Sequence, residues 1–316
     1  MKQAEDVTFG GSALDRAAEL RPDSEALWAE GQGTVLLLWR GKPLLGAAGL
    51  HRVALDHPVL RYRTEPPLFI GREDDGLVFA ADISAWQPED QEVDQVGQFV
   101  DKSQQAHPEL PEDCAFQELR QVMAGLSRRD AELIASAKAL AEWHRTHQFC
   151  SRCGEKSLIA MGGWERECPD CGGKHFPRTD PVVIMLITLG NKVLMGRSGF
   201  WPEGMYSLLA GFVEPGEPIE AAVRREVYEE TRIRVGEVSY LSSQPWPFPN
   251  SLMFGCHGTA LSEDITIDPV EIEDAMWVSR EEIMQAMAGE HPGIKPARKG
   301  SIAHFLLDRW LADRLD

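Results

Sequence analysis

Four cysteines, set as Cys150-x2-Cys153 and Cys168-x2-Cys171 with fourteen residues between the pairs, constrain this chain more tightly than any other feature. Each CxxC turn aims two thiolates at one point, so two such turns close a tetrahedral site suited to Zn2+. The start, MKQAEDVTFGGSALD, lacks the apolar core of an export signal, and disulfides belong to oxidising compartments. The sequence therefore predicts one structural zinc per chain, in preference to a redox CxxC or a site that has lost its metal. The intervening GEKSLIAMGGWERE has the glycine and aromatic content of a small β-hairpin. Cys114 and Cys256 stand alone and read as buried thiols.

At 316 residues, 43% of them apolar, the chain is long for a single core. It divides into an N-terminal α+β domain over 1–126, a linker helix with the cysteine module over 127–176, and an α/β domain over 177–316. The formal charge of −18 repels polyanions, so phosphate must be held by metal or by a few local cations. No run of about 18 apolar residues offers a membrane span. A cytoplasmic protein with no membrane partner is expected.

In the first domain TVLLLWR (34–40), PLFIG (67–71) and LVFAAD (77–82) read as strands, and EDCAFQELRQVMAGL (112–126) as a helix. His51, His57 and His107 are scattered and suggest no ligation. Ser127 with Asp130 opens a long helix, on which Leu133, Ala137, Leu140 and Ala141 form one stripe. Beyond the cysteines, VVIMLITL (182–189) and KVLMG (192–196) flank Gly190-Asn191, a hairpin signal. Further strands are expected at 237–242, 252–261 and 275–278, a short helix from Ser279, and an amphipathic helix over 301–315. Strands mixed with two or three helices predict an α/β/α sandwich on a mixed sheet. No internal repeat is visible.

The stretch GFVEPGEPIEAAVRREVYEE, from Gly211 to Glu230, holds six glutamates. After Pro218 it consists of helix formers. Glu226, Glu229 and Glu230 fall at i, i+3 and i+4 and crowd one edge of that helix, on or beside the edge that carries Ile219, Val223 and Val227. A solvated charge run would put the acids opposite the apolar stripe. Carboxylates crowded at a protein boundary raise one another's pKa unless a cation neutralises them, and hard Mg2+ or Mn2+ suits such oxygen ligands. Arg225, four residues before Glu229, is placed to orient that carboxylate.

Gly211, Glu217, Arg225-Glu226-Val227-Tyr228-Glu229-Glu230 and Ile233 resemble the Nudix box, GX5EX7REUXEEXGU with U aliphatic. The one departure is Arg232, which stands where the box has its last glycine. That glycine ends the helix, and a positive φ there costs another residue about 1 kcal/mol. Nudix enzymes hydrolyse a nucleoside diphosphate linked to another moiety. The resemblance thus implies water attacking phosphorus while metal-bound glutamates hold the pyrophosphate.

Past the box, Gln244-Pro245-Trp246-Pro247-Phe248-Pro249-Asn250-Ser251 alternates prolines with aromatics. Such a segment is stiff, cannot pair as a central strand and is expected to expose flat rings, which suits a platform for a nucleobase or nicotinamide better than an interdomain strut. SQPWPFPxS is similar to the signature of the NADH pyrophosphatases, the Nudix group with a four-cysteine zinc ribbon ahead of its catalytic domain. Ribbon, box and signature appear here in that order. The resemblance implies substrate contacts from Phe176, Ala210, Phe212, the Gln244–Ser251 segment and Ala303. It also implies a further metal ligand in Glu271 and an active site shared between two subunits of a homodimer.

These readings converge on metal-dependent hydrolysis of NAD(H) to NMN(H) and AMP, with Glu226, Glu229 and Glu230, joined by Glu271, binding the catalytic cations. Removal of NAD caps from RNA 5′ ends uses the same chemistry and needs little protein surface. A non-catalytic nucleotide sensor usually has a broken glutamate set, whereas this one is intact. The acidic WERECPD argues against a zinc-ribbon adaptor for nucleic acid.

Overall fold

A computed structural model describes residues 4–74, 76–88 and 101–315. It divides into two compact units, Phe9–Arg178 with Pro247–Asn250, and Met1–Thr8 with Thr179–Trp246 and Ser251–Asp316.

In the unit built on Phe9–Arg178, strands β1 (Thr34–Trp39), β2 (Lys42–Gly46), β3 (Gly49–Leu50), β4 (Arg52–Val53), β5 (Leu68–Glu73), β6 (Gly76–Asp82), β7 (Gln104–Gln105) and β8 (Ala115–Gln117) share one sheet. Its order is β5-β6-β1-β2-β8-β7, with β4 beside β1 and only β1 and β6 parallel among the described strands. Helices α1 (Ser24–Ala29), α2 (Leu119–Val122) and α3 (Arg128–Thr146) accompany it. The period-2 alternation of β1 sends Leu36 and Leu38 to one face, where they meet Leu133, Ala137 and Leu140 of α3, and Val35, Leu37 and Trp39 to the other. Ser127 caps α3 by accepting the Asp130 amide. The helix expected over 112–126 is mostly absent. Cys114 and Phe116 alternate into the core, a strand period, so 115–117 pairs with β2, and helix begins only at Leu119. The cysteine module forms a three-stranded antiparallel sheet of β9 (Leu158–Ala160), β10 (Glu165–Glu167) and β11 (Lys174–His175).

The other unit contains β12 (Asp180–Leu189), β13 (Lys192–Arg197), β14 (Leu209–Phe212), β15 (Val235–Trp246), β16 (Ser251–Ala260) and β17 (Asp274–Ser279), with helices α4 (Ile219–Thr231), α5 (Arg280–Ala288) and α6 (Ile302–Leu311). Sheet order is β15-β16-β12-β13-β17, with β14 beside β12 and, among the described strands, only β12 and β16 parallel. Along β12, Val183, Met185 and Ile187 pack with Ala222, Val223 and Val227 of α4, while Ile184 and Leu186 pack with Ile302, Leu306 and, from α5, Ile283. This is an α/β/α sandwich on a mixed sheet. Ser279 and Glu282 form a reciprocal capping box at the start of α5.

The two sheets share one plan. The order β5-β6-β1-β2-β8 recurs as β15-β16-β12-β13-β17, each with one parallel pair, and β4 stands beside β1 as β14 stands beside β12. They diverge after the side strand: the 3-10 turn Pro58–Tyr62 lies between β4 and β5, and helix α4 between β14 and β15. Among the described residues no helix is long and apolar enough to cross a membrane.

Candidate active site

Helix α4 starts after Pro218 and stops at Arg232, whose φ of 60° lies in the left-handed region that glycine usually occupies. Its 3.6-residue period puts Val223 and Val227 in the core with Glu226 and Glu230 buried beside them, while Arg224 and Tyr228 face solvent. Glu271, on the loop before β17, completes the group. One carboxylate oxygen from each of Glu226, Glu230 and Glu271 lies within 4.8 Å of the others.

Glu229 stands outside that group and is bonded by Arg225, which also bonds Glu226. The Arg225 Nη1 donates to Glu229 Oε2 and Glu226 Oε1, both at 2.9 Å. Its Nε and Nη2 donate to the two oxygens of Glu217 at 2.9 and 2.8 Å, and Nη2 also reaches the Phe212 carbonyl at 2.9 Å. One guanidinium thereby ties the end of β14 and the Glu217 turn to the acidic helix, and it holds the Glu217 carboxyl below its usual range.

Burial pushes the Glu230 carboxyl up to about 8, and the charges of Glu226, Glu271 and Glu229 add to the effect. Burial also raises Glu226, against the pull of Arg225. Glu230 Oε2 is buried with no hydrogen-bond partner in the protein. An unpaired buried carboxylate oxygen beside two further carboxylates is costly, and a hard divalent cation supplies the missing charge and ligand contacts. The donor set fits such an ion. Gly211 of β14 passes against the Glu226 carboxylate, which a side chain at that position would displace.

The remaining sequence candidates take varied positions. Phe212 is 58% exposed at the end of β14, two residues after the exposed Ala210. Phe176 is 67% exposed and belongs to the other unit. The proline-aromatic segment is not the exposed platform expected. Pro245 and Trp246 end the edge strand β15, opposite Leu252 and Ser251, and Trp246 is half-buried. Pro247, Phe248, Pro249 and Asn250 belong to the other unit. There the Phe248 ring lies 6.2 Å from that of Phe9 and 4.1 Å from the Arg120 guanidinium, and Asn250 donates to the Ala139 carbonyl. The Gln244 carboxamide donates to Thr8 O and Gly300 O and accepts the Ile302 amide at the start of α6, so its side chain is fully engaged. Ala303 is buried in the core beneath α6. Gln244 and Ala303 therefore have only backbone to offer a ligand.

The four Sγ atoms of Cys150, Cys153, Cys168 and Cys171 lie within 4.8 Å of one another as free thiols, with Cys150 to Cys171 at 3.6 Å and Cys153 to Cys168 at 3.5 Å. A tetrahedral zinc with bonds of about 2.3 Å sets its sulfurs about 3.8 Å apart, so the residues fit that ion. The Arg152 amide, with His175 Nε2 at 3.2 Å, draws the Cys150 thiol down to about 6.

Sandwich, acidic helix and Arg225 clamp together define a Nudix hydrolase. Family models agree: a NUDIX domain matches residues 178–299, an NADH pyrophosphatase-like rudimentary NUDIX domain residues 32–143, and an NADH pyrophosphatase zinc ribbon domain residues 145–176. The human NAD-capped RNA hydrolase NUDT12 is 34% identical over 96% of this chain and 73% of its own length. The NAD-capped RNA hydrolase NudC of Mycobacterium bovis is 34% identical over 94% of this chain and 92% of its own. Human mitochondrial NAD(P)H pyrophosphatase NUDT13 is 38% identical over 62% of this chain and 59% of its own. The chain belongs to the Nudix hydrolases, in the NADH pyrophosphatase group that carries a zinc ribbon. Membership of a metal-dependent hydrolase family and the carboxylate group agree on divalent-cation catalysis.

Two parts of the site escaped sequence reasoning. The contact of Gly211 with Glu226 depends on how a strand passes a helix, which no local pattern encodes. Asp268 shapes the loop before Glu271, and its Asp-Pro dipeptide was an available turn signal.

Proposed function

We propose that the protein hydrolyses the pyrophosphate bond of NAD(H) to NMN(H) and AMP with Mg2+ or Mn2+. The observation that carries this is the group Glu226, Glu230 and Glu271 with its unpaired buried oxygen. Glu226, Glu230 and Glu271 would hold a divalent cation, which would supply Lewis-acid polarisation of the diphosphate and acidify a water. Glu226 and Glu230 present oxygens from one helix edge, and Glu271 from the facing loop. Arg225 keeps Glu226 and Glu229 oriented, leaving Glu229 poised beside the group as a further ligand. Phe212 offers an exposed face for an end ring, with Ala210 as a further substrate contact. The protein acts in the cytoplasm as a homodimer.

The names of two relatives favour a second substrate for the same chemistry, the NAD cap of an RNA 5′ end. With a net charge of −18, only the cap and a few nucleotides would be engaged. Incubating the protein with NADH, NAD+ or a short NAD-capped RNA, each with Mg2+ or Mn2+, should yield NMN(H) with AMP, or NMN with a 5′-monophosphate RNA, on chromatography. Binding of these ligands without cleavage under any combination would replace the enzyme with a nucleotide sensor.

A further inference from the structure

The loop that delivers Glu271 is fixed at both ends. On one side, Thr266 and Asp268 donate their amides to the carbonyls of Thr231 and Glu230 at 2.9 and 3.0 Å. Those are carbonyls that the C-terminus of α4 leaves without an intrahelical partner. On the other side, the Glu273 amide donates to Arg197 O at 2.8 Å, and Arg197 Nε donates to Glu273 Oε2 at 2.7 Å. Between these anchors Asp268 organises the turn. Its carbonyl accepts the amides of Glu271 and Ile272 at 3.1 and 3.0 Å, and its Oδ1 accepts the Val270 amide at 2.9 Å. Packing contributes little, since Pro269 and Glu273 are exposed, Val270 is 91% exposed, and only Ile272 in that stretch is buried.

We infer that Asp268 is a positioning residue for the metal-binding carboxylates, setting the separation of Glu271 from Glu230. Its amide pins the loop to the carbonyl of the same glutamate whose carboxylate belongs to the group, and its side chain holds the turn that aims Glu271. Removing the Oδ1 acceptor frees the turn, so Glu271 spreads over positions that do not close the group. A site that must be organised on binding holds its ion less tightly than one organised beforehand. The inference rests on the reading of Glu226, Glu230 and Glu271 as a divalent-cation site.

The test is titration of the full-length, zinc-loaded protein with Mn2+, following free Mn2+ by electron paramagnetic resonance. Asp268→Ala should weaken Mn2+ binding by about tenfold, in the range typical for losing a partner that orients a metal ligand. Asp268→Asn keeps the acceptor and should bind within about twofold of wild type, a result that stands whether or not the alanine variant folds. In a Glu271→Gln background, Asp268→Ala should cause no further loss. The inference is overturned by unchanged affinity in Asp268→Ala, by an Asn variant as weak as the Ala variant, which would make charge the cause, or by an equal loss in the Glu271→Gln background. Wild-type protein that binds no Mn2+ would instead overturn the metal-site reading itself.

Discussion

A Cβ built on Gly211 would lie 2.0 Å from the carboxyl carbon of Glu226 and 2.1 and 2.2 Å from its two oxygens. The strand passes the acidic helix with its backbone alone, and what an added methyl meets is the far end of a flexible side chain. Gly211→Ala should therefore cost less than about 1 kcal/mol of stability. It should also turn the Glu226 carboxylate away and lower kcat/KM for NADH by at least about tenfold. Unaltered turnover, alongside an unchanged thermal melt, would show that Glu226 is not needed where it stands.

Glu230→Gln should fold normally and lose at least about a hundredfold in kcat, because a neutral amide cannot hold a cation as a carboxylate does. Steady-state hydrolysis of NADH checks this, and near-wild-type turnover would remove Glu230 from the mechanism.

The same carboxyl makes the metal-free protein sensitive to pH. Its folded value of about 8 lies above its ordinary 4.5, so between those values the native state binds more protons than the unfolded chain. Stability should then fall as pH rises through that window, by an amount on the order of a few kcal/mol, and level off above it. Saturating Mn2+ should flatten the slope by supplying the counter-charge. Urea titrations at several pH values, with and without Mn2+, measure both, and a metal-free stability that climbs across the window would contradict the burial argument.

Purified protein should contain one zinc per chain by elemental analysis, and a strong chelator should lower thermal stability before activity falls. Absence of zinc would leave the four facing thiols unexplained.

Arg232→Gly should stabilise the protein by a few tenths to about 1 kcal/mol, since glycine takes the φ of 60° without steric cost. The gain is held down by loss of the Arg232 guanidinium over the Tyr228 ring, 5.4 Å to its centroid, and by the freer unfolded chain. Denaturant unfolding gives the sign, and a net loss would mean the arginine contacts outweigh the strain.

Stacking on one ring is worth roughly 1 to 3 kcal/mol. Phe212→Ala should thus lower kcat/KM about five- to a hundredfold for NADH and for a short NAD-capped RNA, and less for ADP-ribose, which lacks the nicotinamide. Equal losses on all three substrates would assign Phe212 to the fold.

The acidic edge of α4 was legible because two patterns coincide in thirteen residues: a 3.6-residue apolar stripe, and glutamates beside it rather than opposite. The separation of Glu229 from its neighbours was not legible. Glu229 and Glu230 flank Glu226 on opposite sides of the helix edge, and which flank meets the loop carrying Glu271 is set by tertiary packing, with Arg225 taking Glu229 on the other. Alternating proline and aromatic residues suggested exposed rings, yet Phe248 packs against Phe9 and Arg120, partners distant in sequence. The shared sheet plan left no trace as a repeat, because TVLLLW and DPVVIMLITL carry only the continuous apolar run of any strand covered on both faces.

The backbone crosses between the two units four times: after Thr8, after Arg178, and at either end of Pro247–Asn250. The catalytic half is therefore not a bead threaded after the zinc module on a string. Its first residues lie upstream of the whole ribbon-bearing unit, with Ala4 and Thr8 accepting hydrogen bonds from Ser242 and Gln244, and Gln244 in turn holds the start of α6. A fragment cut at Thr179 would leave those donors bare. Along the chain the rudimentary domain and its ribbon lie between two parts of the hydrolase unit, so no single cleavage separates the two.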